Sequence, residues 1–121
     1  YYANEGGADV VPPMMPYITR GEKVSNNDVK LFWNKVTTDT LGNPESMKGY
    51  VVYRNISPSF IPGPTDSIGY VNHPETSFVN AGALSSLENY YYLVKAVDVA
   101  NNCSKVSNMG YKFRQFLNEN E

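Results

Sequence analysis

The sequence predicts an all-β fold, an antiparallel sandwich of about seven short strands. Nine glycines and eight prolines are spread along the 121 residues, so that turn-forming residues interrupt nearly every segment. No window sustains the apolar period of about 3.6 residues that a helix requires. Between the turns, β-branched and aromatic residues alternate with polar ones, which is typical of strands buried on one face.

The strands are predicted from this alternation. Residues 28–36 form the first, because Val29, Leu31 and Trp33 fall on one face of DVKLFWNKV. The strongest strand signal is NYYYLVKAVDV at 89–99, where apolar residues occupy both faces. The remaining predicted strands cover 49–54, 67–72, 76–84 and 105–113. Turn formers fill the loops between them at 37–48, 55–65 and 100–104.

The chain is predicted to have three parts. Residues 1–16 contain two adjacent glycines and three prolines, which favour an extended arm outside the domain. Residues 17–114 form the sandwich, and residues 115–121 are a polar tail. The chain begins at Tyr1 without the charged and apolar regions of a signal peptide. We therefore expect either a fragment or a processed protein.

Composition and charge exclude several classes of function. With 41% hydrophobic and 13% aromatic residues the chain is expected to fold. A net charge of −2 argues against a nucleic-acid partner, and no stretch is apolar enough to predict a membrane span. One cysteine and one histidine rule out an internal disulfide framework, a Cys/His zinc site and Cys-x-x-Cys redox chemistry.

Several motifs occur at the spacing of a known family. Trp33 lies where the family has a core tryptophan on its second strand, and GYVVYRN contains the Tyr-x-Val of its third strand. The sixth strand of the family is a Tyr-x-hydrophobic-x-Val-x-Ala-Val pattern that follows a leucine, as NYYYLVKAV does here. From about residue 16 to 113 the chain thus resembles a fibronectin type III domain of the secreted prokaryotic type.

The resemblance implies an immunoglobulin-like sandwich with a defined core. The implied core residues are Trp33, Tyr50, Val52, Leu84, Tyr90, Tyr92, Val94 and Ala96. Tyr90 would be the corner tyrosine, whose hydroxyl bonds to backbone near Leu84. The stretch VDVANNCSKVSN resembles the usual ending of the secreted members, with Asn101 in place of a glycine. The integrin-binding Arg-Gly-Asp is missing from 99–104, so that activity is not implied.

The residues that could carry chemistry have simpler structural interpretations. His73 has no evident nucleophile or metal partner and is expected to lie in a surface turn. Asp39, Asn43 and Glu45 could bind calcium, but they lack the alternate spacing of a calcium loop, and turn chemistry explains them equally well. The tyrosines at 90–92 could stack against a sugar, although core packing is favoured. We therefore predict no catalytic residue, no cofactor and no metal site.

Two sequons are candidates for glycosylation in a secreted protein. Asn55 begins Asn-Ile-Ser and Asn102 begins Asn-Cys-Ser, and both are predicted to lie in loops. Cys103, inside the second sequon, is expected to be a free thiol, with an intermolecular disulfide as the alternative.

Apolar residues near both ends are candidates for contacts with other subunits, because an extended segment can complete the edge of a neighbouring sheet. The alternative is that both ends fold back onto their own domain. The candidate contact residues are Val10, Val11, Met14, Met15, Phe116 and Leu117.

Together these observations predict a non-catalytic structural subunit that is secreted or displayed at a cell surface. It would self-assemble into a filament, sheath or adhesin through its arm and edge strands, with copies of itself or other surface proteins as partners. The alternative is a spacer or glycan-binding appendage of a larger secreted enzyme.

Overall fold

The computed structural model describes residues 10–57, 60–85 and 90–107, in which six strands form two three-stranded sheets. One sheet has the order β1-β2-β5 and the other the order β4-β3-β6. All four pairings within the sheets are antiparallel. The strands are β1 (Ile18–Lys23), β2 (Val29–Trp33), β3 (Met47–Asn55), β4 (Ser67–Asn72), β5 (Ser77–Asn80) and β6 (Tyr91–Asp98).

The first sheet is centred on β2. Its residues alternate between buried and half-buried, and Val29, Leu31 and Trp33 all face the second sheet. This is the face that the alternation in the sequence predicts. On the opposite face Phe32 lies beneath the guanidinium of Arg20, 4.0 Å from its ring centroid.

The second sheet is centred on β3, which pairs with β4 on one side and with β6 on the other. Tyr50 and Val52 of β3 are fully buried, as are Val94 and Ala96, their partners across the β3–β6 ladder. These side chains meet those of the first sheet in one apolar core. Trp33 contacts Tyr50 edge to face, with ring centroids 5.6 Å apart.

The implied core residues lie between the two sheets. Seven of them are buried, and Tyr90 is half-buried and packs against the cluster. The hydrogen bond expected from the Tyr90 hydroxyl to the backbone near Leu84 stays a prediction, because residues 86–89 of this corner lie outside the described residues.

The predicted all-β sandwich is confirmed, and the individual strands differ in detail. The prediction at 67–72 coincides with β4, whereas those at 76–84 and 89–99 extend beyond β5 and β6. β1 was not predicted, because ITRGEK carries three charges and a glycine and has little strand signal of its own. Of the predicted strand at 105–113, residues 105–107 run beside β6 and residues 108–113 lie outside the described part.

Two glycines allow close contacts on opposite faces of β4. Gly69 faces the core directly under the ring of Phe78, and a side chain at Gly69 would overlap that ring. On the outer face, the ring of Tyr70 lies over Gly49 of β3 and would collide with a side chain there. These contacts hold β4 against both β3 and β5.

We expect Gly69→Ala to destabilise the protein by about 1–3 kcal/mol, because the added methyl group overpacks the core against Phe78. Urea unfolding measures the effect. Gly63→Ala is the matched control, since a methyl group there approaches nothing closer than the Asp66 carboxylate at 3.9 Å. Equal losses from both substitutions would contradict this account, and Phe78→Leu should recover part of the loss only in the Gly69→Ala background.

Candidate interaction surface

The N-terminal segment, residues 10–16, lies against the loop that joins β2 to β3. Pro13 pairs with Asp39 in an isolated antiparallel bridge. The Met14 N–H donates to the Thr38 carbonyl at 3.0 Å, and the Thr40 N–H donates to the Pro12 carbonyl at 3.1 Å. Residues 12–14 therefore fold back onto their own domain, which was the alternative to docking on a neighbour. Residues 1–9 lie outside the described part.

Asp39 holds this loop in place. Its buried carboxylate accepts the N–H groups of Leu41 and Asn43 through Oδ1, at 2.9 and 3.0 Å. Such a turn is the structural alternative to a calcium loop at Asp39, Asn43 and Glu45. Among the described residues, no group of three or more His, Cys, Asp or Glu is arranged to hold a metal ion.

An open groove runs between the N-terminal segment and the residues that follow β6. Its volume is about 350 Å³. The lining residues are Pro12, Pro13, Met14, Met15, Thr40, Cys103, Ser104 and Lys105. Met14, which lines the groove, is 44% exposed. Val10 and Leu41, close to the lining residues in the chain, are 77% and 71% exposed. We call this region, defined by residues 10–16, 38–42 and 103–105, the N-terminal groove.

The candidate contact residues of the N-terminal segment differ from one another in their positions. Met14 and Met15 line the N-terminal groove. Val10 is exposed and Val11 is half-buried. Phe116 and Leu117 lie outside the described residues.

The loop after β6 is built around a fully buried carboxylate. Asp98 accepts the N–H groups of Ala100 and Asn102 through Oδ1, and the Asn102 side-chain amide through Oδ2. Within this loop Asn101 has a φ of 68°, a left-handed conformation that asparagine tolerates better than most residues. This explains how Asn101 can stand where the family usually has glycine.

Residues 104–107 close the outer edge of β6 with side chains. The Ser104 N–H donates to the Ala96 carbonyl, and the Ala96 N–H donates to Ser104 Oγ at 2.8 Å. Ser107 makes the same reciprocal pair with Val94. The two hydroxyls thus satisfy backbone groups of β6 where a regular ladder would otherwise be needed. The spacing of these serines was visible in the sequence, but their partners were not.

Both sequon asparagines have side chains engaged within the chain. Asn55 Nδ2 donates to Asp66 Oδ1 at 2.9 Å, and its Oδ1 accepts the Ser57 N–H. Asn102 Nδ2 donates to the buried Asp98 at 3.0 Å. Cys103 is exposed and, as the one cysteine of the chain, has no partner for an internal disulfide. Asn55 and Asn102 remain candidates for glycosylation.

The single histidine contributes to the core. His73 lies in the turn after β4, as expected, but it is half-buried rather than a plain surface residue. Its Nδ1 is 3.1 Å from the hydroxyl of Tyr50, which also accepts the Val36 N–H. Burial, with a smaller effect of the Lys35 charge, lowers the pKa of His73. Burial raises the pKa of Tyr50.

The tyrosines at 90–92 differ in their surroundings. Tyr92 is fully buried, and its hydroxyl donates to Asn80 Oδ1 at 2.6 Å. Arg54 donates to the same oxygen at 3.0 Å and lies 4.1 Å from the centroid of the Tyr90 ring. Tyr91 is half-buried. Burial of Tyr92 and the position of Arg54 over Tyr90 leave no continuous aromatic platform for stacking against a sugar.

Sheet composition, strand order and loop placement define an immunoglobulin-like β-sandwich of the fibronectin type III kind. The third fibronectin III domain of human KIAA0343 protein is 17% identical, with a TM-score of 0.58 over 90% of this chain and 86% of that one. Titin domains A168–A170 are 19% identical, with a TM-score of 0.61 over 83% of this chain and 31% of that one. A β-1,2-glucanase from Parabacteroides distasonis is 20% identical, with a TM-score of 0.60 over 85% of this chain and 13% of that one.

These similarities establish the fold. This chain spans about a third or less of the titin and glucanase structures, so it corresponds to one part of each. A scan against family models finds no match, and a search of curated proteins finds none either. In the described part of the chain, no helix has the length and apolarity needed to cross a membrane.

Ser104→Ala is expected to destabilise the protein by about 1–3 kcal/mol, because it leaves the buried Ala96 N–H without its acceptor. Equilibrium unfolding in urea provides the measurement. Ser85→Ala is the control, since the hydroxyl of Ser85 is exposed and donates to the Gly82 carbonyl three residues earlier. Ser104→Thr should retain most of the stability, and a loss as large as that of the alanine variant would argue against the role of the hydroxyl.

Stability is expected to fall as the pH drops below about 6.5, the ordinary pKa of histidine. The folded protein holds His73 at a lower pKa than the unfolded chain does, so the unfolded state binds more protons in this range. Thermal melts between pH 7.5 and 5 should therefore show a declining Tm, and His73→Gln should remove most of this decline. An unchanged pH profile in the variant would exclude His73 as the cause.

Proposed function

We propose that this protein is a non-catalytic structural module of an extracellular or cell-surface assembly. The observation that carries the proposal is the N-terminal groove, together with the exposed apolar residues that lie in it or close to it in the chain. A fibronectin type III-like sandwich fits a structural or spacer role, and its termini and loops provide the surfaces through which such modules make contacts.

The chemistry of this groove suits a protein contact. Proline and methionine supply four of its eight lining residues, and methionine adapts its shape to different apolar partners. Val10, Met14 and Leu41 are exposed to water in the isolated chain. Covering them would yield about 25 cal/mol for each Å² of apolar surface that leaves water. We infer that another copy of the chain, or another surface protein, covers this region.

The arrangement of the potential catalytic groups gives little support to an enzymatic function. His73 is the one residue of its type, and its Nδ1 faces the hydroxyl of Tyr50 in a structural contact. The carboxylates of Asp39 and Asp98 hold turns through backbone N–H groups. The titin and KIAA0343 structures of similar fold are modules of the same kind as this sandwich.

The second candidate function is a spacer or glycan-binding appendage of a larger secreted enzyme. It is favoured by the similarity to the β-1,2-glucanase structure, of which this fold occupies 13%. In that case the groove would contact the neighbouring domain of the same chain, and purified protein would not associate with itself.

The test compares the wild-type chain with the double variant Met14→Ser/Leu41→Ser. Both side chains are exposed, so their replacement should leave the fold intact. We expect light scattering and negative-stain microscopy to show assembly of the wild type and at least tenfold weaker assembly of the variant. Ile61→Ser is the matched control, because Ile61 is 90% exposed in the loop that follows the far end of β3.

Wild-type protein that stays monomeric at all accessible concentrations would contradict self-assembly and favour the appendage. Intact mass spectrometry of material from the native source tests the glycans separately. A mass above 13.5 kDa that shifts when Asn55 or Asn102 is replaced by Gln would show which sequon is used.

A further inference from the structure

The outer face of the second sheet carries buried apolar side chains. Tyr92 and Val94 of β6 point into the core, so Leu93 and Val97 lie on the opposite face. Tyr53 of β3 is directly across from Leu93 in the β3–β6 ladder and shares that face. Leu93 is only 3% exposed, and Tyr53 and Val97 are each 8% exposed. We call these three residues the outer patch.

The described strands do not account for this burial. The first sheet packs on the inner face of the second sheet, around the core, and leaves the outer face without a layer above it. The side chain of Lys95 reaches across part of the patch, with its Nζ 5.4 Å from the centroid of the Tyr53 ring. A large side chain on an open sheet face keeps part of its surface in water. The burial of Leu93 therefore calls for a cover from outside the described ranges.

The position of the patch indicates where its cover begins. Burial is concentrated on β6 and on the neighbouring part of β3, whereas Tyr70, on the same face of β4, is 46% exposed. Residues 104–107 run along the free edge of β6, and the Ser107 N–H donates to the Val94 carbonyl. Val94 is the residue next to Leu93, so the described chain ends at the margin of the outer patch.

We propose that residues 108–121 fold over this face of their own domain and cover the outer patch. Their apolar residues Phe113, Phe116 and Leu117 supply the contacts. The fourteen residues span up to about 45 Å when extended, whereas Leu93 and Val97 are about 13 Å apart along β6. The segment is therefore long enough to reach every residue of the patch.

The other segments outside the described ranges are poorer occupants. Residues 58–59 and 86–89 are too short to cover both Leu93 and Val97. Residues 1–9 carry no large apolar side chain after Tyr2. The inference goes beyond the proposed function and does not depend on it, because Phe116 and Leu117 are engaged within the chain while the N-terminal groove stays free for assembly.

A double-mutant cycle in the full chain tests the contact. Phe116→Ser/Leu117→Ser should raise the equilibrium constant of unfolding, measured in urea, by about tenfold or more, because it removes the apolar cover. In the Leu93→Ala background the same change should raise the constant by less than about threefold, since its partner side chain is already shortened. The matched control is Tyr1→Ser/Tyr2→Ser, which removes two large side chains near the other end and should leave the constant unchanged.

Three results would overturn the inference. One is a Phe116→Ser/Leu117→Ser variant as stable as the wild type, or a loss of the same size in both backgrounds. Another is a loss in Tyr1→Ser/Tyr2→Ser instead, which would assign the cover to residues 1–9. A coupling with Leu93 that disappears on dilution would assign the cover to a second copy. If Leu93→Ala does not fold, Val97→Ala takes its place in the cycle. Assembly through the groove is measured separately with Met14→Ser/Leu41→Ser, and neither result there decides this contact.

Discussion

Tyr50 is the residue on which the rest of the sandwich depends. From the middle strand of one sheet, its ring meets Trp33 of the other sheet, and its hydroxyl accepts the Val36 N–H from the loop after β2. The same hydroxyl contacts His73 in the turn after β4. A single buried side chain therefore links both sheets and two loops. Because its polar tip is satisfied in place, the core can bury a tyrosine at this position without an unpaired group.

The second constraint is that a small sandwich must manage its open edges. This chain closes β6 with the hydroxyls of Ser104 and Ser107 and guards β1 with charge. It also anchors residues 12–14 on the loop around Asp39. These devices are local, and each uses a different kind of interaction. They leave the N-terminal groove as an exposed apolar surface.

The N-terminal groove suits a contact between unlike surfaces. It is apolar and concave, so affinity there would come from removing apolar side chains such as Met14 from water. A two-fold contact closes on itself, whereas a contact between unlike surfaces can continue. An extended assembly would need a contact of the second kind, for which this groove is a candidate.

Sequence alone determined the fold class and the position of most strands, because alternation of apolar residues and the placement of Gly, Pro and Asn are local properties. It also indicated the core around Trp33 and Tyr92, through spacing within single strands. It could not reveal β1, whose residues form a strand only because β2 offers them a ladder. The contacts of Tyr50 with His73 and of Ser104 with Ala96 were equally hidden. Such pairings join residues distant in the chain, so only the tertiary structure decided them and the edges they leave open.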